Sequence, residues 1–325
     1  MQHTPRPGVR RRAVLGLALA LPLAFAGCGG SDGGDSADGT TSISVGVIPI
    51  IDVAPIYLGV KQGFFSDEGL DLKLTTAQGG AAIVPGVTSG QFQFGFSNAV
   101  SLMLAQSKGI DLDIVAAGVA STGKDGEDFG GIVVPADSAI ASAKDLAGKK
   151  VAVNTLSNIN TVTTNAAVTA DGGDPSSIDY VELGFPDALA AVKSGDVDAA
   201  QLVEPFLTAA LNAGDKLVSS NYVATAPDLQ FADYFTSADY AKDHADVVTR
   251  FTTAMNKSLD YAQQNPDAVR AILSTYTDLD EATQAAVILP TWSSEISTDS
   301  LTTLAGLMQK DGLTSTEVDP STMLP

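Results

Sequence analysis

The chain has 325 residues, 45% of them apolar and 17% charged, which is enough for one large domain or two ordinary ones and far from the composition of a disordered protein. Acids outnumber bases 38 to 18, a net charge of −20. So acidic a surface excludes nucleic-acid binding, where neutralising phosphate with basic side chains dominates affinity.

The N-terminus reads as a targeting segment. Arg10, Arg11 and Arg12 precede an apolar run from Ala13 to Ala26, interrupted by Gly16 and Pro22 and too short to span a bilayer. Phe25-Ala26-Gly27-Cys28 resembles the lipobox of bacterial lipoproteins, with Phe25 where Leu is usual. Residues 1–27 are therefore expected to be a signal peptide, with Cys28, the chain's single cysteine, as the lipid attachment site. Residues 28–41, nearly devoid of apolar side chains, read as a flexible tether. The signal takes four arginines and no acids, leaving 14 bases against 38 acids, or −24. Anionic lipid would repel that surface, so the lipid has to supply the membrane attachment. The expected location is extracytoplasmic, anchored to the cell membrane.

Strand and helix signals then alternate. Strands are predicted at Ile43–Ile48, Leu70–Leu74, Phe92–Phe96 and Leu112–Val119, and helices at Ala54–Phe64, Gly79–Ser89 and Asn98–Lys108. The order recurs with strands at Lys150–Asn154, Ile178–Leu183 and Val197–Leu202 and helices at Ile159–Ala170 and Asp187–Lys193. Val87-Thr-Ser-Gly-Gln-Phe and Val192-Lys-Ser-Gly-Asp-Val match across 105 residues (192 minus 87), a repeat of domain size. From about Ala232 the pattern turns helical: Ala245–Gln264, Pro266–Tyr276, Glu281–Leu289 and Ser300–Lys310. These helices lack a sheet of their own, so they are expected to return to the first lobe. The expectation is an α/β fold of two lobes, each a mostly parallel sheet flanked by helices, with residues 42–131 plus 232–325 as lobe I and 132–231 as lobe II. Crossings near Gly130–Gly131 and Ala232–Tyr234 would make a hinge.

Catalytic constellations are missing. His244 is the one histidine after the signal and stands among charged neighbours, which leaves no Ser-His-Asp or Cys-His arrangement. No His/Cys cluster suits a metal and no phosphate-binding loop occurs. The chain is expected to be no enzyme and to use no metal or cofactor.

Val47-Ile-Pro-Ile-Ile-Asp-Val-Ala-Pro-Ile-Tyr-Leu-Gly-Val-Lys-Gln-Gly-Phe-Phe-Ser-Asp-Glu-Gly-Leu-Asp-Leu72 resembles the opening of the nitrate/sulfonate/taurine and thiamine-pyrimidine-precursor binding proteins. Phe185–Ala200, Val203–Phe206 and the Asn265-Pro266 break resemble later parts of that family, so the resemblance covers roughly Ser42 to Leu289. It implies a type II periplasmic-binding fold and work as the binding subunit of an ABC importer, with permease and ATPase partners and a small-molecule ligand; a monomeric state is expected. It leaves the substrate open.

Ligands of open α/β sheets bind beyond the carboxyl ends of strands, where loops feed helix N-termini. The candidates there are Asp52 and Tyr57; Gly79, Gly80 and Ala81; Ser97 and Asn98; Thr155, Ser157, Asn158 and Asn160; Phe185; and Glu204. Only Arg250 and Arg270 remain after the signal, both on C-terminal helices, which argues against an arginine clamp on an anion. Asp52 and Glu204 would suit an amine or amino-substituted heterocycle stacked on an aromatic face. A small sulfonate, taurine or nitrate held by helix N-termini is the alternative. A sensing lipoprotein without a permease and a pyrimidine-forming enzyme of the same fold group are more distant ones; such an enzyme would need histidine and clustered cysteines.

Overall fold

The computed structural model describes residues 40–324, and the expected signal, Cys28 and most of the tether lie outside the described residues. Ten strands fall into two five-stranded sheets. The first contains β1 (Thr41–Val47), β2 (Leu70–Thr76), β3 (Phe94–Asn98), β4 (Leu112–Ala120) and β10 (Gln230–Ser237), in the order β2-β1-β3-β10-β4. The second contains β5 (Gly130–Val134), β6 (Lys150–Val153), β7 (Asp179–Glu182), β8 (Ala199–Val203) and β9 (Lys216–Ser219), in the order β7-β6-β8-β5-β9. In each sheet one strand, β10 or β5, runs against both of its neighbours, and the other pairings are parallel. The chain passes to the second sheet between Ala120 and Gly130 and returns between Ser219 and Gln230.

The sequence repeat is structural. Val45 pairs with Phe94 in the first sheet, and Val151 pairs with Ala199 in the second. β3 and β8 are offset by 105 residues at both ends (199 minus 94, 203 minus 98). Both are preceded by a helix, Gly80–Thr88 or Phe185–Ser194, with a left-handed glycine at its end, Gly90 or Gly195, each at φ 76°.

Apolar patterning dictates the layers. β3 and β8 are buried along their whole length, as strands covered on both faces must be. The 20-residue helix Ala245–Gln264 turns Val247, Phe251, Ala254, Met255 and Leu259 inward, a period that suits one buried stripe. Phe251 stacks on Phe94 of β3 at 3.9 Å, so this helix covers the first sheet. Among the described residues no helix is long and apolar enough to cross a membrane.

Three strands differ from the sequence reading. Gln230–Ser237 forms β10 where the pattern was expected to turn helical. Every residue from Gln230 to Thr236 is buried, which removes the alternation that would mark a half-exposed strand. β5 and β9 are short, at five and four residues, and gave no period to read. Helix ends also move: Gly63, at φ 82°, ends the helix that begins at Ala54, and the helix before β8 starts at Phe185.

Candidate functional site

The carboxyl ends of the parallel strands in both sheets converge on one cavity. From the first sheet come Ile48, Ile50 and Asp52 after β1, Phe96 and Asn98 of β3, and Ala232 of β10 with its neighbour Phe231. From the second come Asn154, Ile159 and Asn160 after β6, Phe185 after β7 and Val203 of β8, with Tyr222 from the return crossing. The cavity is narrow, about 30 Å³, room for little more than one water. Ile48, Ile50 and Phe185 continue into a wider, largely apolar mouth with Gln78, Gly184 and Phe206. Phe206 stacks loosely on Phe185 at 5.9 Å.

Asp52 sits in a single turn, Ile51–Val53, directly before the Ala54–Gln62 helix. It is 3% exposed, and its Oδ1 has no hydrogen-bond partner. Burial, reinforced by the nearby Asp128 carboxyl, pushes its pKa up to about 7. Trp292, buried behind it, donates its Nε1–H to the Asp52 carbonyl at 3.4 Å. Tyr57 lies one turn on, half-buried and stacked on Tyr276 at 4.0 Å; the Tyr276 hydroxyl donates to the Ile50 carbonyl at 3.2 Å.

On the opposite wall Asn158 caps the Ile159–Ala170 helix: its Oδ1 accepts from the Asn160 N–H at 3.0 Å, and its own N–H donates to Thr161 Oγ1 at 3.0 Å. Asn154 Oδ1 accepts from Asn158 Nδ2 at 2.8 Å and Asn160 Nδ2 at 2.7 Å. Asn160 Oδ1 accepts from the Tyr222 hydroxyl at 2.8 Å. These amides are buried yet paired, as buried polar groups must be.

The predicted residues fall into three groups. Asp52, Asn98, Asn160 and Phe185 line the cavity together. Gly79, Thr155, Gly80, Ser97 and Asn158 stand behind or beside it. A Cβ built on Gly79 would lie 2.5 Å from Thr155 Oγ1, so the two walls meet where only glycine leaves room. Gly80 backs in the same way onto Ser97, whose Oγ donates to the Asn98 carbonyl at 3.4 Å. Ala81 and Ser157 are exposed and outside the wall, and Tyr57 lies behind it. Glu204 is fully buried with its carboxylate committed elsewhere. It accepts from Thr208 Oγ1 at 2.6 Å, Thr208 N–H at 3.1 Å and Ile288 N–H at 3.1 Å. Burial raises its pKa to about 7, and its hydrogen bonds tie the second half to the C-terminal segment instead of facing a ligand.

Asn154, Tyr222, Phe96 and Phe231 were not anticipated. Asn154 had a readable signal, a polar residue ending an apolar strand, the same signal that singles out Asn98. Tyr222 had none, since it lies in a five-residue helix between sheets. Among the described residues no basic side chain lines the cavity. Arg250 is spent on the Glu68 and Gly69 carbonyls and Asp246, and Arg270 lies beside Asp267.

Paired α/β halves with a cleft between their strand ends define the periplasmic binding-protein class. The alkanesulfonate-binding protein SsuA of Xanthomonas axonopodis pv. citri, solved with MOPS bound, shares this fold with a TM-score of 0.74 at 17% identity, over 87% of this chain and 98% of that one. The chain belongs to the family described as NMT1/THI5 like, which residues 50–269 match. It is similar to the taurine-binding periplasmic protein of Escherichia coli, 30% identical over 63% of this chain and 61% of that protein. It is also similar to the formylaminopyrimidine-binding protein of Halalkalibacterium halodurans, 23% identical over 69% and 66%. It is thus a substrate-binding protein of the kind that serves ABC importers, and no enzyme.

Proposed function

We propose that this protein captures a small nitrogen-bearing, heteroaromatic nutrient, such as a thiamine-precursor-like aminopyrimidine, between its two halves and delivers it to a membrane permease and ATPase. One observation carries the reading: the buried carboxyl of Asp52 lines a cavity free of basic side chains and keeps an oxygen without a partner. A buried acceptor of this kind is costly until an N–H donor reaches it, and a cationic donor would also return it to the charged form. Phe96, Phe185 and Phe231 supply apolar faces for a flat ring. The formylaminopyrimidine-binding relative supports the same chemistry.

The taurine-binding relative, at 30% identity, favours a second reading, a small sulfonate or nitrate held by amide groups. Equilibrium titration of the purified protein separates the two. Tight aminopyrimidine binding is expected, and tight taurine binding with none of the pyrimidine would discard the first.

In this reading residues 42–131 with 232–325 form one lobe and 132–231 the other. The two crossings are the hinge, and ligand shifts the population toward a closed form that the permease recognises. Cys28 carries the lipid and the following residues the tether, so the monomeric protein works outside the cytoplasm at the membrane surface. Replacing Cys28→Ser should move it from the membrane to the soluble fraction.

A further inference from the structure

We infer that the cavity selects a ligand edge with fixed hydrogen-bond polarity: a ring acceptor toward the side-chain NH2 groups of Asn98 and Asn154, beside an N–H donor toward Asp52. This rests on the aminopyrimidine reading and specifies how that ring would be held.

Backbone groups fix the direction of each amide. Asn98 Oδ1 accepts from the Ser101 N–H at 2.9 Å, which only oxygen can do, so its free end is NH2. Asn158 Oδ1 accepts from the Asn160 N–H at 3.0 Å, which makes Nδ2 the atom that donates to Asn154 at 2.8 Å. The receiving atom of Asn154 is therefore its oxygen, and Asn160 Nδ2 brings a second donor to it at 2.7 Å. Asn154 Nδ2 then donates to no group among the described residues and stands beside Gly79, at the seam of the two walls.

The rest of that wall is used up. The Tyr222 proton goes to Asn160 Oδ1, and its hydroxyl accepts from Gln201 Nε2 at 3.3 Å. What faces the cavity is two NH2 donors and one acid. A sulfonate or nitrate would suit the amides but bring no donor to Asp52. A plain amine would suit Asp52 but leave both amides without an acceptor. An amino sulfonate carries both functions yet offers no ring to the phenylalanine faces. An aminopyrimidine presents a ring nitrogen next to an exocyclic N–H.

The test uses four probes on the purified protein: 4-amino-2-methylpyrimidine, 2-methylpyrimidine (no donor), 3-methylaniline (no ring acceptor) and taurine. A site built around hydrogen bonds rejects analogues that lack one. The complete edge is expected to bind at least ~10-fold more tightly than either partial one. Asn98→Asp and Asn154→Asp retain the bonds their oxygens accept and turn a carboxylate oxygen to the cavity in place of NH2. Each is expected to weaken aminopyrimidine binding by at least ~30-fold. If a variant unfolds, the probe series on the unaltered protein decides. Equal binding of 3-methylaniline, or undiminished binding by both variants, overturns the fixed edge and leaves the aminopyrimidine reading standing. Taurine bound with no pyrimidine bound overturns both.

Discussion

Ile48 and Asp52 follow β1 as Asn154 and Asn158 follow β6, each pair 106 residues apart (154 minus 48, 158 minus 52). The backbone around them is repeated: the Ala77 N–H donates to the Val47 carbonyl at 2.8 Å, and the Leu183 N–H to the Val153 carbonyl at 2.9 Å. The side chains use that scaffold in opposite ways. The first half places an unpartnered acid, Asp52, among isoleucines. The second half places Asn158 in a network where its own amide oxygen and nitrogen both have partners. A repeated fold therefore separates two tasks at this matched position: Asp52 keeps an oxygen unmet for a ligand, and Asn158 is satisfied and holds its neighbours still. Substitution of Asp52 should cost binding and leave stability intact or raised, while substitution of Asn158 should cost stability first.

The largest effect is expected at Asp52. Asp52→Asn should weaken aminopyrimidine binding by about 100-fold, because a charge-assisted bond is lost in a dry site. The same change should raise the melting temperature at pH 8. The sign follows from linkage. The folded pKa of about 7 lies above the ordinary carboxyl value of 3.8, so between them the folded state holds the extra proton. Stability is lost as pH climbs from about 4 through about 7. Glu204 and Asp233, also raised to about 7 by burial, act in the same direction. The unaltered protein should thus melt higher at pH 5.5 than at pH 8, and Asp52→Asn should reduce that slope. A slope unchanged by the substitution would mean that Asp52 already has a partner in the free protein.

Gly79→Ala tests the seam between the walls. The new methyl would lie 2.5 Å from Thr155 Oγ1 and 3.2 Å from Asn154 Nδ2, so closure would require both side chains to give way. Affinity should drop about 10-fold by destabilising the closed form, a factor worth about 1.4 kcal/mol. Scattering should show weaker compaction at saturating ligand. Unchanged affinity would place closure elsewhere than at this contact.

Much of the architecture could be read before the structure because it follows from period and punctuation. Among the strands after which the site loops leave, β1, β3, β6 and β8 carry apolar runs and β2 alternates, and the 105-residue match aligned the two sets. β10 was missed because it is buried on both faces and includes Asp233, so neither alternation nor composition marks it as a strand. For the site, the rule that loops at strand ends form clefts pointed to Asp52, Asn98 and Asn160, which line the cavity. It misjudged Glu204, which sits at the right place in the chain; only coordinates show Thr208 and Ile288 occupying its oxygens. Tyr222 was invisible for a related reason. It reaches the cavity by folding back across 62 residues of sequence to Asn160, a contact that no local pattern encodes.

The smallest effect separates the two duties of Asn158. Asn158→Ala removes both the helix cap and the donation to Asn154, and should destabilise the protein by about 1–2 kcal/mol in denaturant unfolding. Asn158→Ser retains an oxygen that can cap the Asn160 N–H but has no amide nitrogen to reach Asn154, so it should lose less than about 1 kcal/mol. Binding should weaken only a few-fold in either variant, since Asn160 still holds Asn154 through the same oxygen. The contrast with Asp52 is the point of the pair. Removing a satisfied amide lowers stability and spares affinity, whereas removing the unsatisfied acid does the reverse. If Asn158→Ala proved as stable as the unaltered protein but lost binding outright, Asn158 itself would have to be redrawn as a ligand-contacting residue.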